Sequence, residues 1–133
     1  MNEQAEALKR RTKQFALAVI ALARTFPSGE PGWTIAGQLI QAGTSVGANY
    51  RAACRARSRA EFIAKVGLVE EESDECGFWL EISQETGLAS SSAVEALMKE
   101  ANELTAIFAR SVMTARQSST LIANHQPNRQ SSI

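Results

Sequence analysis

Residues 33–80 read WTIAGQLIQAGTSVGANYRAACRARSRAEFIAKVGLVEEESDECGFWL, and their spacing decides the fold. Apolar residues recur at three- and four-residue steps on either side of a short basic segment, the pattern of two helices joined by a turn. The spacing predicts a helix from about Trp33 to Arg57 with Ile35, Leu39, Ala42, Val46 and Ala53 on its seam, interrupted by Asn49. Ser58 then reads as an N-cap, with Glu61 three residues on completing a capping-box pattern. The next helix is expected to run to about Thr86. Its seam (Phe62, Val66, Val69, Ser73, Cys76, Leu80, Ser83) repeats as a strict heptad, and Gly87 supplies the stop.

The flanks extend the same logic. Leu8, Phe15, Val19, Leu22 and Phe26 place a first helix at about Glu3 to Thr25, ended by PSGEPG at residues 27–32. A serine among Ser90–Ser92 caps a fourth helix whose stripe is Val94, Leu97, Ala101, Leu104 and Phe108, flanked by Ile107 and Val112. Four amphipathic helices with short connections predict an all-α, antiparallel up-down-up-down four-helix bundle over residues 1–117. Residues 118–133, SSTLIANHQPNRQSSI, lose periodicity and read as a flexible tail. The chain has 133 residues, enough for one domain with a real core.

No apolar run approaches the roughly 20 residues needed to span a bilayer. The amino terminus has acids where a signal peptide is basic, so it reads as the start of an amphipathic helix, with ALAVIALA leaving a signal-like run as the alternative. Cys54 and Cys76 are the only cysteines. About a hairpin turning near Ser58 they lie roughly 20 Å apart, too far for a disulfide, and two reduced thiols suit a cytoplasmic protein. Gly37, Gly43 and Gly47 each cost a helix about 1 kcal/mol, which is explained if a neighbouring helix comes close. No phosphate-binding motif surrounds them.

Net charge is zero, but its distribution is lopsided. Residues 1–65 hold 10 Lys/Arg against 4 Asp/Glu, and residues 66–133 hold 4 against 10. In an up-down bundle Lys9, Arg10, Arg11, Lys13, Arg51, Arg55, Arg57, Arg59, Lys65, Arg110 and Arg116 fall toward one pole, opposed by Glu3, Glu6 and Glu61. Glu75, Glu81, Glu85, Glu95, Glu100 and Glu103 collect toward the other. Arg51, Arg55 and Arg59 align at i, i+4, i+8 where the helix persists. Such cations can complement a helix C-terminus, or they can contact a phosphate backbone. The candidate nucleic-acid contacts are Arg51, Arg55, Arg57, Arg59 and Lys65.

Gln38, Ser45 and Asn49 on one helix stand near the heights of Glu72 and Glu75 on the next, which predicts a polar network between helices or across a subunit interface. A di-metal bundle site would need Glu-x-x-His motifs, and the single histidine, His125, lies in the tail segment. No metal, cofactor or catalytic set can be assembled. Phe26, Trp33, Phe78 and Trp79 are expected together at the acidic pole, as core aromatics or buried against a neighbouring subunit. The third helix carries apolar residues beyond its seam (Ile63, Leu68, Phe78, Trp79, Ile82), more than one bundle covers, which points to oligomerisation.

Several pieces resemble the four-helix bundle proteins also called 23S rRNA intervening-sequence proteins. They are W-x-I-A-x-Q-L (Trp33 to Leu39), T-S-V-G-A-N (Thr44 to Asn49), R-A-x-S-x-A-E-F-I-x-K (Arg55 to Lys65), E-x-x-E-x-x-x-W-L (Glu72 to Leu80), and E-L-x-x-I-F with T-A-R (Glu103 to Arg116). One departure is Ala52, where the family commonly has an acid. The resemblance implies a cytoplasmic bacterial bundle assembling as a homopentamer, with no established enzymatic activity, encoded within inserts in ribosomal RNA genes. The similar accessory variability determinant of diversity-generating retroelements binds a reverse transcriptase and nucleic acid. The expected partners are therefore other copies of the chain and RNA, DNA or a reverse-transcriptase-like enzyme. The alternative is a protein–protein adaptor docking through its acidic, aromatic end.

Overall fold

The computed structural model describes residues 2–125, with side chains through Ser118. Four helices follow in order: α1 (Glu3–Ala23), α2 (Gly32–Cys54), α3 (Arg59–Glu85) and α4 (Ser91–His125). Each packs on its neighbours in sequence, and α4 returns to touch α1 only slightly. Side chains fix the directions. Gly43 of α2 faces Val19 of α1 while Gly47 faces Thr12, so the two helices run opposite ways. Asn49 bonds Glu72, and Gly32 lies beside Leu88 just past the end of α3, so α2 and α3 are antiparallel as well. The fold is the expected all-α bundle.

Local chemistry sets most boundaries. Asn2 caps α1, its Oδ1 accepting from the Gln4 and Ala5 N–H groups at 2.7 and 3.2 Å. Pro31 offers α2 no side-chain cap, and the Glu30 carboxylate substitutes by accepting from the Thr34 N–H at 2.9 Å and from its hydroxyl at 2.7 Å. Those bonds hold the Glu30 carboxyl below its ordinary pKa. Ser58 caps α3 by accepting from the Glu61 N–H at 3.0 Å. The Glu61 carboxylate reaches back to the Arg57 N–H at 3.5 Å, one residue before the cap. Gly87, at φ +73°, ends α3 in a Schellman turn: its N–H donates to the Gln84 carbonyl and that of Leu88 to the Ser83 carbonyl.

The α3 heptad is buried as predicted, fully at Val66, Val69, Ser73, Cys76, Leu80 and Ser83 and partly at Phe62. Both serine hydroxyls are satisfied within the helix, Ser73 donating to the Val69 carbonyl and Ser83 to that of Trp79. Phe15, Val19, Leu39, Val46, Val94, Leu104 and Phe108 complete the core. Cys54 and Cys76 are free thiols, and burial pushes the Cys76 thiol up to about 12. Among the described residues no helix is long and apolar enough to cross a membrane.

Three expectations change. α2 ends at Cys54, three residues short of Arg57, because Arg55 leaves helical geometry as the C-cap. α4 continues through Ser118 to His125, so the boundary at residue 117 falls inside a helix. The rest of the expected tail, 126–133, lies outside the described residues. Of the three α2 glycines, Gly43 and Gly47 meet α1, whereas Gly37 has open space around it.

At Gly43 a Cβ would stand 2.8 Å from Val19 Cγ1 and 3.0 Å from its Cβ, and a β-branched neighbour in a packed seam cannot swing aside. Gly43→Ala is therefore expected to destabilise the protein by about 1–2 kcal/mol despite better helix propensity. Gly37→Ala is expected to stabilise it by about 0.5–1 kcal/mol. Urea denaturation midpoints of the two variants check the opposite signs.

Candidate nucleic-acid interface

Antiparallel packing sets the start of α1 beside the α2–α3 turn. The Tyr50 ring meets Phe108 at 5.3 Å between centroids, which brings α4 to the same height. Burial, then the neighbouring Cys54 thiol and Glu6, raise the Tyr50 hydroxyl above its usual pKa, so this phenol stays neutral beneath the charged end.

The five candidate contacts occupy the end as follows. Arg51 is exposed on the last turn of α2, and Arg55 is exposed as its C-cap. Arg57, in the turn, has 92% of its side chain accessible and only a long 4.0 Å approach to Glu61. Arg59 opens α3 half-buried, its Nε enclosed with no hydrogen-bond partner among the described residues. Lys65 is half-buried farther along α3. The interruption of helix at residues 55–58 breaks the i, i+4, i+8 alignment of Arg51, Arg55 and Arg59. Between Pro31 and Val69 the only acid is Glu61, so this end stays strongly positive.

Two other predicted members of the pole, Arg11 and Lys9, are held by carboxylates. Arg11 lies partway along α1 and is held by α4: its Nε and a terminal nitrogen donate to both Glu100 oxygens at 2.7 Å, and the same nitrogen donates to Glu103 at 3.0 Å. The hydrogen bond to Glu100 leads in raising the Arg11 pKa above its already high value. Glu100 and Glu103, assigned above to the acidic pole, are thus partly neutralised. Lys9 pairs with Glu6 at 3.1 Å. Arg10, Lys13 and Arg110 are exposed, as is Arg116.

Of the predicted polar network only one link forms, the Asn49 amide donating to the Glu72 carboxylate between α2 and α3. Gln38 and Glu75 are exposed and Ser45 is half-buried, and none joins that link. The aromatics do not gather into the core either. Trp33 is 66% and Phe78 51% exposed, while Phe26 and Trp79 pack partly buried against the core. Phe78 and Trp79 meet edge-on at 5.0 Å, and the Trp79 indole N–H is enclosed without a partner among the described residues. No group of three or more His, Cys, Asp or Glu among the described residues could hold a metal ion.

Sequence reasoning missed two features. Thr12 is fully buried in α1, its hydroxyl donating to the Leu8 carbonyl at 2.8 Å. The second is the Arg11 clamp, for which the i, i+3 spacing of Glu100 and Glu103 was the available signal.

The model of the 23S rRNA-intervening sequence protein family matches residues 6–110, from the first turns of α1 deep into α4. The chain belongs to that family. A crystal structure of a protein of unknown function from the S23 ribosomal protein family, from Bacteroides thetaiotaomicron, is similar with a TM-score of 0.73 at 27% identity. The likeness covers 78% of this chain and 96% of that one. No curated protein matches the chain.

The Arg11 clamp is bidentate but over a third of its arginine side chain is accessible, so solvent screens it. Arg11→Ala is expected to cost about 1 kcal/mol at low salt and less at high salt. Urea titrations at two salt concentrations check this, with Arg11→Lys recovering only part because the fork is lost.

Proposed function

We propose that this family member is a non-enzymatic, self-associating helical scaffold that holds nucleic acid by its phosphate backbone at the α2–α3 turn. The single observation that carries the reading is the charge of that turn: Arg51, Arg55, Arg57, Arg59 and Lys65 against Glu61 alone. Exposure supports it, since Arg51, Arg55 and Arg57 are open to solvent. No exposed aromatic lies among them to stack a base, so the contact would be with phosphates and tolerant of sequence. The family's description refers to 23S rRNA intervening sequences, and a polyanion is the partner chemistry that this end fits. Self-association is supported by Trp33, Leu68 and Phe78, which remain exposed on one bundle. The resemblance noted above makes a pentamer in the cytoplasm the expected assembly.

The combined variant Arg55→Ala, Arg57→Ala, Arg59→Ala should weaken RNA or DNA binding by roughly tenfold to a hundredfold at low salt. It should also flatten the dependence of log affinity on log salt by about two to three. Fluorescence anisotropy with labelled single- and double-stranded probes measures both. Wild-type protein that retains neither polymer at low salt removes this reading. A partner captured equally well after nuclease treatment and in high salt would instead favour an adaptor acting through Trp33 and Phe78.

A further inference from the structure

Two helices carry a second stripe on the side away from the core. On α1 and its cap, Arg10, Leu17 and Arg24 are exposed at seven-residue spacing. On α3, Glu71, Phe78 and Glu85 are exposed at the same spacing. Leu17 is 52% and Phe78 51% accessible, each at the centre of its stripe. None of the four charged residues forms an ion pair within the chain among the described residues.

The two stripes match in height as well as in pattern. α1 and α3 run in the same direction, since each is antiparallel to α2. The pairs Val19–Gly43, Asn49–Glu72 and Gly32–Leu88 fix the levels. Counting along α2 at about 1.5 Å per residue puts Arg10 near the height of Glu71, Leu17 near Phe78 and Arg24 near Glu85, each within about two residues, roughly 3 Å. A cation–apolar–cation heptad therefore stands at the same height as an anion–apolar–anion heptad. As diagonal members of the bundle, α1 and α3 turn these stripes away from each other, so one copy can use both at once.

We infer that the outward stripe of α1 docks on the outward stripe of α3 in a second copy of this chain. Side-by-side copies, unshifted along the bundle axis, set Arg10 against Glu71, Leu17 against Phe78 and Arg24 against Glu85. Seven-residue spacing on both partners keeps parallel helices in register across two heptads. Charge complementarity selects this pairing over α1 on α1 or α3 on α3, where like charges would meet. The contact is heterologous, so each copy retains one open face and recruits another until rotation between copies closes the assembly. This rests on the self-association proposed above and assigns its faces, using none of the five nucleic-acid contacts.

Two variants test it, Arg10→Glu with Arg24→Glu, and Glu71→Lys with Glu85→Lys. All four positions are exposed, and circular dichroism verifies the helices. Sedimentation velocity should show each variant alone at least tenfold weaker in self-association than wild type. Combining all four changes in one chain should restore assembly, and mixing the two should restore association between unlike copies, because opposite charges again face each other. Two single-face variants that keep the wild-type mass overturn the assignment of faces while leaving self-association standing. Failure of both the mixture and the combined chain to reassemble overturns it too. A monomeric wild type overturns this inference and self-association together, whereas loss of RNA binding with unchanged mass touches only the turn.

Discussion

The seam of α3 is the constraint on which the rest of the bundle depends. Its residues sit seven apart in pairs, and those from Val66 to Ser83 are buried, so 27 residues of helix are committed to facing inward along one line. Two seam positions are serines, whose hydroxyls bond carbonyls one turn back and so need no partner from another helix. Small side chains there let α2 and α4 close in on either side, and α3 makes its principal contacts with those two. Capping at Ser58 and the Gly87 turn then fix where the chain must reverse. With α2, α3 and α4 held this way, only α1 remains to be placed.

That placement uses different physics. α1 meets α4 slightly and depends on α2, where Gly43 and Gly47 replace side chains with space for Val19 and Thr12. A helix seated through such close contact has little tolerance for added volume, because packed interiors relax poorly. Its other edge carries Arg11, which reaches two glutamates of α4. The least extensive of the four helix contacts, α1 on α4, is thus clipped electrostatically. The same arginine that clips this contact is withdrawn from the basic end, which is why a tally of cations overstates that end.

How much of this was legible in the sequence follows from which forces are periodic. The α3 heptad, the Ser58 cap and the Gly87 stop depend on spacing and local backbone chemistry, and each was readable within about a turn. The end of α2 falls three residues earlier than the sequence suggests, because Ala53 to Arg57 are, Cys54 apart, good helix formers and the chain reversal that stops the helix is tertiary. The extension of α4 to His125 escaped because the sequence SST at 118–120 interrupts the apolar rhythm that reveals a helix. In the candidate site the five cations were all readable, but their arrangement was not. Whether Arg51, Arg55 and Arg59 align depends on where α2 breaks, and whether Arg11 is available depends on the height of α4. For Trp33 and Phe78 the sequence leaves core and subunit contact both open, because composition alone does not distinguish a core aromatic from one awaiting a neighbour.

A chain with zero net charge is a weak candidate for polyanion binding only when its charges are mixed. Here the segregation is lateral as well as along the axis: between Ala7 and Ala60 the only acid is Glu30, while eight of the 14 acids lie between Glu61 and Glu85. A uniformly basic bundle would repel its own copies, since like charges at an interface disfavour association. Opposite faces on one chain remove that obstacle and leave the α2–α3 turn outside the contact. Pairing α1 with α3 at equal height has a further consequence. It keeps neighbouring copies pointing the same way, so every basic turn emerges on one side of the assembly. A phosphate backbone meeting that side would find several modest cation clusters in a row, and linked sites bind far more tightly than any one of them. Assembly by charge and binding by charge are thereby compatible within a neutral molecule, because they draw on different arginines.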